Sequence, residues 1–135
     1  MSVSLMLSDR RFSLDNRGLS SLIKKVLKGE KALEKSLNIV YCSDTLITDL
    51  NKRFKNKART TDVLAFGMEE SSEPKFIGEV YINLAQARRQ ANELRISYKQ
   101  EVKRLTIHGV LHLLGYRDGN SRDSGRMWSR QEGYL

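Results

Sequence analysis

The sequence predicts an α/β (α+β) fold in which helices pack on a single mixed β-sheet of about four strands. Strand-like and helical patterns follow one another in the order β-α-β-α-β-β-α-α-α. Strand–helix–strand units indicate parallel neighbours joined by right-handed crossovers, and the β-β pair adds one antiparallel neighbour. The 135 residues show no repeat and no linker long enough for a second domain. We therefore expect one domain spanning 1–135.

The first half of the chain alternates between the two patterns. Val3, Leu5 and Leu7 alternate with smaller or polar residues, which predicts a strand. A helix ending before Gly29 is predicted by apolar residues at helical spacing: Leu19, Leu22, Ile23, Val26 and Leu27. A second strand follows at Leu37, Ile39 and Tyr41. Ser43 is then the expected N-cap of a helix with the apolar face Leu46, Ile47, Leu50 and Phe54.

The second half begins with two strands, at residues 62–68 and 76–84. The linker 69–74 between them is acidic, carries the only proline and is short enough for a hairpin. A helix over 85–94 follows, and then Ser97 with Gln100 forms a capping-box pattern that begins another helix, predicted to stop at Gly115. A last amphipathic segment spans 121–131 and carries Met127 and Trp128.

The two histidines of the chain, His108 and His112, lie four residues apart in a segment free of charged residues. Such a run predicts a buried helix, on which both imidazoles lie on one face. Buried imidazoles need polar partners, and a divalent metal is one partner that suits both. Asp118, beyond Gly115, is placed to be a third ligand. The alternative is a pair of core histidines that hydrogen-bond to each other, to a carbonyl or to a hydroxyl.

Gly109 argues against a thermolysin-like peptidase. The H-E-x-x-H motif of those enzymes has its general base directly after the first histidine. Glycine occupies that position here, so the carboxylate that would activate a water is missing.

A net charge of +8 and an isoelectric point near 9.8 favour a polyanionic partner, with nucleic acid the default. A merely soluble basic protein is the alternative. Five basic residues crowd one stretch and form the basic cluster: Lys52, Arg53, Lys55, Lys57 and Arg59. Four more flank Asp118: Arg117, Arg122, Arg126 and Arg130. The single Cys42 and the absence of a membrane-like segment predict a cytoplasmic protein.

Residues 108–116, read as H-G-V-L-H-L-L-G-Y, resemble the H-G-x-L-H-L-x-G-Y-D-H motif of the YbeY family of bacterial endoribonucleases. Upstream, Leu50-Asn51, Phe54-Lys55 and the segment 60–66 (T-T-D-V-L-A-F) resemble that family's L-N-x-x-Y-R-x-x-D-x-P-T-D-V-L-S-F stretch. Gly78-Glu79 matches its G-D/E strand. The matching elements keep their order over residues 50–118.

The resemblance implies a single-domain metal hydrolase, one Zn²⁺ per chain, with His108 and His112 as the first two ligands. It also implies cleavage of single-stranded ribosomal RNA in maturation of the small-subunit 3′ end, and a part in ribosome quality control. The chain departs from the family in two places. Asp118 stands where the third histidine is usual, and Lys55 follows Phe54 where an arginine is usual.

These departures leave alternatives open. A two-histidine, one-carboxylate set accepts zinc and also iron(II), manganese or nickel. Asp118 could instead cap a turn or the last helix. Lys55 could contact a phosphate, or it could simply be solvated, in which case Arg53 or Arg59 could make the phosphate contact instead. Glu79 is a distant candidate for a base. The rival functions are a ribosome- or RNA-binding factor with a structural metal, and a metal-dependent hydrolase of a substrate other than RNA.

Overall fold

A computed structural model describes residues 3–68, 75–117 and 119–135. In these residues, four strands form one sheet: β1 (Val3–Leu7), β2 (Ser36–Cys42), β3 (Val63–Gly67) and β4 (Phe76–Asn83). The strand order is β1-β2-β4-β3, with β1, β2 and β4 parallel and β3 antiparallel to β4 at one edge. The predicted mixed α/β sheet is confirmed. The acidic linker 69–74 lies outside the described residues.

Five helices accompany this sheet in the described ranges: α1 (Asn16–Gly29), α2 (Asp44–Lys55), α3 (Leu84–Leu94), α4 (Tyr98–Leu113) and α5 (Ser121–Tyr134). The Ser97 hydroxyl accepts a hydrogen bond from the backbone N–H of Gln100, as the capping pattern predicts. Ser43 occupies the N-cap position of α2, but its side chain makes no capping hydrogen bond. The last helix runs three residues beyond its predicted end because Tyr134 packs against the core. No helix in the described ranges combines the length and apolar composition needed to cross a bilayer.

The two faces of the sheet are covered unequally. Helix α2 covers one face through a small core of Cys42, Ile47, Leu50 and Leu64. The other face carries the large core, to which α1, α3, α4 and α5 all contribute. Helix α4 lies at its centre and contacts β3, β4 and the other three helices. The histidine helix is therefore fixed on several sides.

Two features hold α4 close to the sheet. The hydroxyl of Thr106 donates to the carbonyl of Val102, so the buried Tyr41 hydroxyl is the donor in its 2.8 Å hydrogen bond to Thr106. At Gly109 the helix approaches β4 so closely that a Cβ would lie 2.4 Å from Cγ1 of Val80. The glycine that argues against a peptidase is thus required for packing.

Gly109→Ala should destabilise the protein by about 1–3 kcal/mol, because Val80 is fully buried and β-branched and cannot move aside. Gly125 is the matched control, since it lies in α5 with no atom near the position of a Cβ. Gly125→Ala should stabilise by about 0.5–1 kcal/mol through helix propensity. Urea unfolding of both variants measures the difference, and equal free energies of unfolding would contradict close packing at Gly109.

Candidate metal centre

His108 and His112 lie one turn apart on α4, with 4.7 Å between ring centroids and 75° between ring planes. Both side chains are partly exposed and line a cleft of about 380 Å³, the histidine cleft, with Lys55, Asp62 and the edge strand β3. The shared face agrees with the sequence spacing. The expected burial of the two imidazoles is wrong, because this face of α4 opens to the solvent-filled cleft.

A buried glutamine orients the first histidine. Nδ1 of His108 lies 2.7 Å from Oε1 of Gln131, which is on α5 and only 4% exposed. An amide oxygen can only accept, so Nδ1 carries a proton, and in the neutral ring Nε2 is then the nitrogen with the lone pair. The amide orientation is supported by the Gln131 Nε2 group, which donates to Glu132 Oε2. An imidazole held this way presents one defined nitrogen to a cation.

An ionic network stands behind Gln131. The Arg104 guanidinium donates two hydrogen bonds to the Glu132 carboxylate and one to Glu101. Gln90 donates a further hydrogen bond of 2.7 Å to Glu101. Burial raises the pKa of Glu101, although the hydrogen bonds from Gln90 and Arg104 partly oppose that shift. The network connects α3, α4 and α5, and so fixes the partner of His108.

Two buried asparagines position the wall of the histidine cleft. Asn51 donates to the carbonyl of Arg59, and Asn83 donates to the carbonyl of Thr61. The backbone amide of Asn83 also donates to the carbonyl of Asp62. Both asparagines are at most 4% exposed. The chain from 59 to 62 is therefore fixed where it faces the histidines.

Asp44 helps to hold the same segment, residues 59–62, in place. Its carboxylate accepts hydrogen bonds from Thr60, Asn83 and the guanidinium of Arg89. The Arg89 contact is the main reason that the pKa of Asp44 lies well below its usual range, against the opposing effect of burial. Sequence reasoning missed these anchors, since an asparagine gives no periodic signal.

The proposed third ligand, Asp118, lies outside the described residues. Among the residues that are described, no group of three or more His, Cys, Asp or Glu side chains could hold a metal ion. The approach to Asp118 is anchored, because the Tyr116 hydroxyl donates a 2.6 Å hydrogen bond to Glu30. Burial disfavours ionisation of Glu30, but hydrogen bonds from Tyr116, Tyr134 and Arg130 outweigh it and lower the pKa. Asn120 supplies the cap of α5 by accepting from the Asp123 amide.

The basic residues divide into those at the cleft and those elsewhere. All five members of the basic cluster are exposed, and Lys55 is the one that lines the histidine cleft. Its ammonium lies 5.9 Å from the ring centroid of Phe66, which keeps it over β3. Arg130 is paired with Glu30 and is therefore not placed to bind a phosphate.

Two other residues weighed from the sequence lie away from the histidines. Glu79 is on the same sheet face as Tyr81, opposite to α4, because side chains alternate along β4. It is therefore not placed to act as a base at the histidines. Cys42 is fully buried, and burial raises the pKa of its thiol to about 12, which keeps the thiol protonated.

Comparison with known proteins assigns the family. A family profile described as Endoribonuclease YbeY matches residues 6–135. The chain belongs to this family. An endoribonuclease YbeY from Persephonella marina is 33% identical over 131 residues, covering 93% of this chain and 84% of that protein. The Chlorobium phaeovibrioides endoribonuclease YbeY is 32% identical over 135 residues, with 100% and 89% covered.

The fold is also similar to a solved structure. The solution structure of a Thermotoga maritima protein superimposes with a TM-score of 0.69 at 25% sequence identity, covering 98% of this chain and 85% of that one. The predicted membership of the YbeY family is confirmed, and the α/β architecture agrees with this neighbour.

Proposed function

We propose that this endoribonuclease uses a divalent metal ion, held by His108, His112 and Asp118, to hydrolyse single-stranded RNA. The observation that carries the proposal is the histidine pair, which faces a cleft lined by Lys55 while buried Gln131 orients His108 from behind. A structural metal needs no such open cleft, whereas a catalytic one does.

The donor set fits a metal of borderline character. Two imidazoles suit zinc, and a carboxylate can complete a three-ligand set that leaves a position for substrate. The same set accepts iron(II), manganese or nickel, so we propose zinc as the principal metal and these ions as substitutes. When bound, such an ion supplies Lewis acidity toward a phosphoryl oxygen and lowers the pKa of a coordinated water.

The residues around the histidines contribute a positive charge and a fixed geometry to the reaction, rather than a general base. Lys55 reaches the cleft with a cation that can neutralise charge developing on the phosphate. A lysine contacts phosphate as a point charge and cannot form the bidentate hydrogen bonds that an arginine would form at this position. Gly109 and Glu79 provide no base beside the histidines. Asp62 is the carboxylate that lines the cleft together with both histidines. The nucleophile we propose is either a metal-bound water, which needs no separate base, or the substrate 2′-hydroxyl.

The proposed substrate is ribosomal RNA, at the 3′ end of the small-subunit RNA, with action on the ribosome or its small subunit in the cytoplasm. The family supports the class of reaction, and the exposed basic cluster beside the cleft supports a polyanionic substrate. A part in ribosome quality control belongs to the same proposal.

Metal removal tests the function directly. Protein purified without chelator should contain about one divalent metal per chain and should cleave a single-stranded RNA. Dialysis against a chelator should abolish cleavage, and added zinc should restore it. Cleavage that persists in metal-free protein would exclude a metal mechanism. RNA binding without cleavage in fully loaded protein would instead favour a binding factor with a structural metal.

RNA binding should weaken steeply with salt, because lysine and arginine release counterions from phosphates. Replacing the five residues of the basic cluster with glutamine should reduce the slope of log affinity against log salt. The reduction should reach about 3.5 if all five contact phosphates of a single strand. The charge-matched control replaces five exposed residues of α1 and the turn after it: Arg17, Lys24, Lys25, Lys28 and Lys31. Equal slopes in the two variants would contradict a role for the cluster.

A further inference from the structure

A second cleft lies on the other side of His108. It has a volume of about 420 Å³ and is bordered by α3, α4 and α5. We call it the tryptophan cleft and define it by six of its lining residues: Asp62, Leu94, Arg104, His108, Trp128 and Gln131. Asp62 and His108 also line the histidine cleft, so the two clefts adjoin at the proposed metal ligand.

Trp128 is the unusual residue of this cleft. It is the only tryptophan of the chain and is 55% exposed, although its neighbour Met127 is buried. Leu94, on α3 across the cleft, is 54% exposed. Tryptophan buries a large apolar area when it is covered, and its indole is often found at binding surfaces. Trp128 and Leu94 line the same cavity, so the two exposed side chains form one apolar surface that a ligand can cover.

The ring of Trp128 is supported by the network behind Gln131. The Arg104 guanidinium lies 5.6 Å from the ring centroid, and its hydrogen bonds to Glu101 and Glu132 hold it there. A cation at the ring is itself attracted to the π-system, which restrains the indole further. The indole is thereby a supported platform with more than half of its surface open to solvent.

The lining of the cleft selects between the possible occupants. Its charged members are Asp62, Glu101 and Arg104, and Arg104 is already hydrogen-bonded to Glu101 and Glu132, so the cleft offers no excess positive charge for a phosphate. A neutral, flat group with hydrogen-bonding edges, such as a base, fits this lining beside Trp128. A strand whose phosphate lies at His108 also has a base within reach of the adjoining cleft. Stacking on an aromatic side chain is the usual way that proteins hold an unpaired base.

We propose that the tryptophan cleft binds an unpaired base of the RNA substrate next to the scissile phosphate, with Trp128 as its stacking partner. The proposal rests on the proposed function, since the strand is placed by the histidines. It assigns the cleft a part in holding single-stranded RNA and in excluding duplex, whose bases are already stacked.

Fluorescence tests stacking in the unmodified protein, because Trp128 is its sole tryptophan. The metal-loaded chain is titrated with a short 2′-O-methylated single-stranded oligoribonucleotide, and electrophoresis after the titration verifies that the probe is intact. We expect strong quenching of Trp128 by this probe, and little quenching by an oligonucleotide of the same length and charge with abasic nucleotides. Equal quenching by both probes would overturn the proposal.

Substitution of Trp128 tests how much stacking contributes to RNA affinity. Affinity is measured by the fluorescence anisotropy of the same oligonucleotide carrying a label. Trp128→Ala should weaken binding roughly 10-fold, within the range of base stacking, and Trp128→Phe should recover most of it. The control is Met6→Ala, which removes a 59% exposed side chain from β1 at the opposite edge of the sheet. Wild-type affinity in Trp128→Ala would reject the platform.

The outcomes separate this inference from the proposed function. If His108→Ala abolishes cleavage while Trp128→Ala binds as the wild type does, the function stands and the base site is rejected. If Trp128→Ala loses affinity while metal-free protein still cleaves, the base site stands and the metal mechanism is rejected.

Discussion

Replacing His108 or His112 with alanine should remove the bound metal and RNA cleavage together. Each substitution deletes one of two imidazoles that share a face of α4, and a single imidazole with one carboxylate holds zinc poorly. We expect a loss of activity larger than the roughly 10–100-fold that follows loss of a group orienting a ligand. Metal content by mass spectrometry and cleavage of a labelled RNA are measured on the same preparations.

Gln131→Leu provides the graded comparison, because it removes the acceptor of His108 Nδ1 and keeps both histidines. Metal affinity should fall about 10–100-fold without disappearing. The helical circular dichroism signal of every variant is recorded, so that unfolding is distinguished from loss of the ligand. Full metal occupancy in the double variant His108→Ala, His112→Ala would reject this site.

The elements of the fold could be predicted because each has a clear apolar period. The alternation of Leu37, Ile39 and Tyr41 predicts β2, and all three side chains are buried. The histidine pair was also predictable, since helical spacing alone puts the two rings on one face. Local patterns of this kind need no knowledge of distant parts of the chain.

Long-range contacts could not be predicted in this way. Gln131 is 23 residues from His108 and belongs to a different helix, so only the packing of α5 on α4 brings them together. Asn51 and Asn83 hold the cleft wall by hydrogen bonds to carbonyls, which no residue pattern encodes. Trp128 is part of an amphipathic segment in the sequence, but its exposure beside a cleft depends on where α3 and α4 lie.

Asp118 decides how far the chain departs from the usual family site. The alternative role, capping the last helix, is filled by Asn120, whose side chain accepts from the Asp123 amide. We propose ligation as the role of the carboxylate, and a role in the turn before α5 is the alternative that the variants distinguish. Asp118→His should therefore keep or tighten zinc, because it restores the three-imidazole set that the family resemblance implies.

Asp118→Ala and Asp118→Asn should both weaken zinc binding, by at least roughly 10-fold, because each removes a charged donor from the ion. The asparagine variant is the sharper of the two, since an amide replaces a carboxylate as a helix cap at little cost but lacks its attraction to a cation. Competition with a fluorescent zinc chelator measures the affinities of all three variants beside the wild type. Wild-type affinity in both the alanine and the asparagine variants would reject ligation by Asp118, and Asp123 would then be the next carboxylate to test.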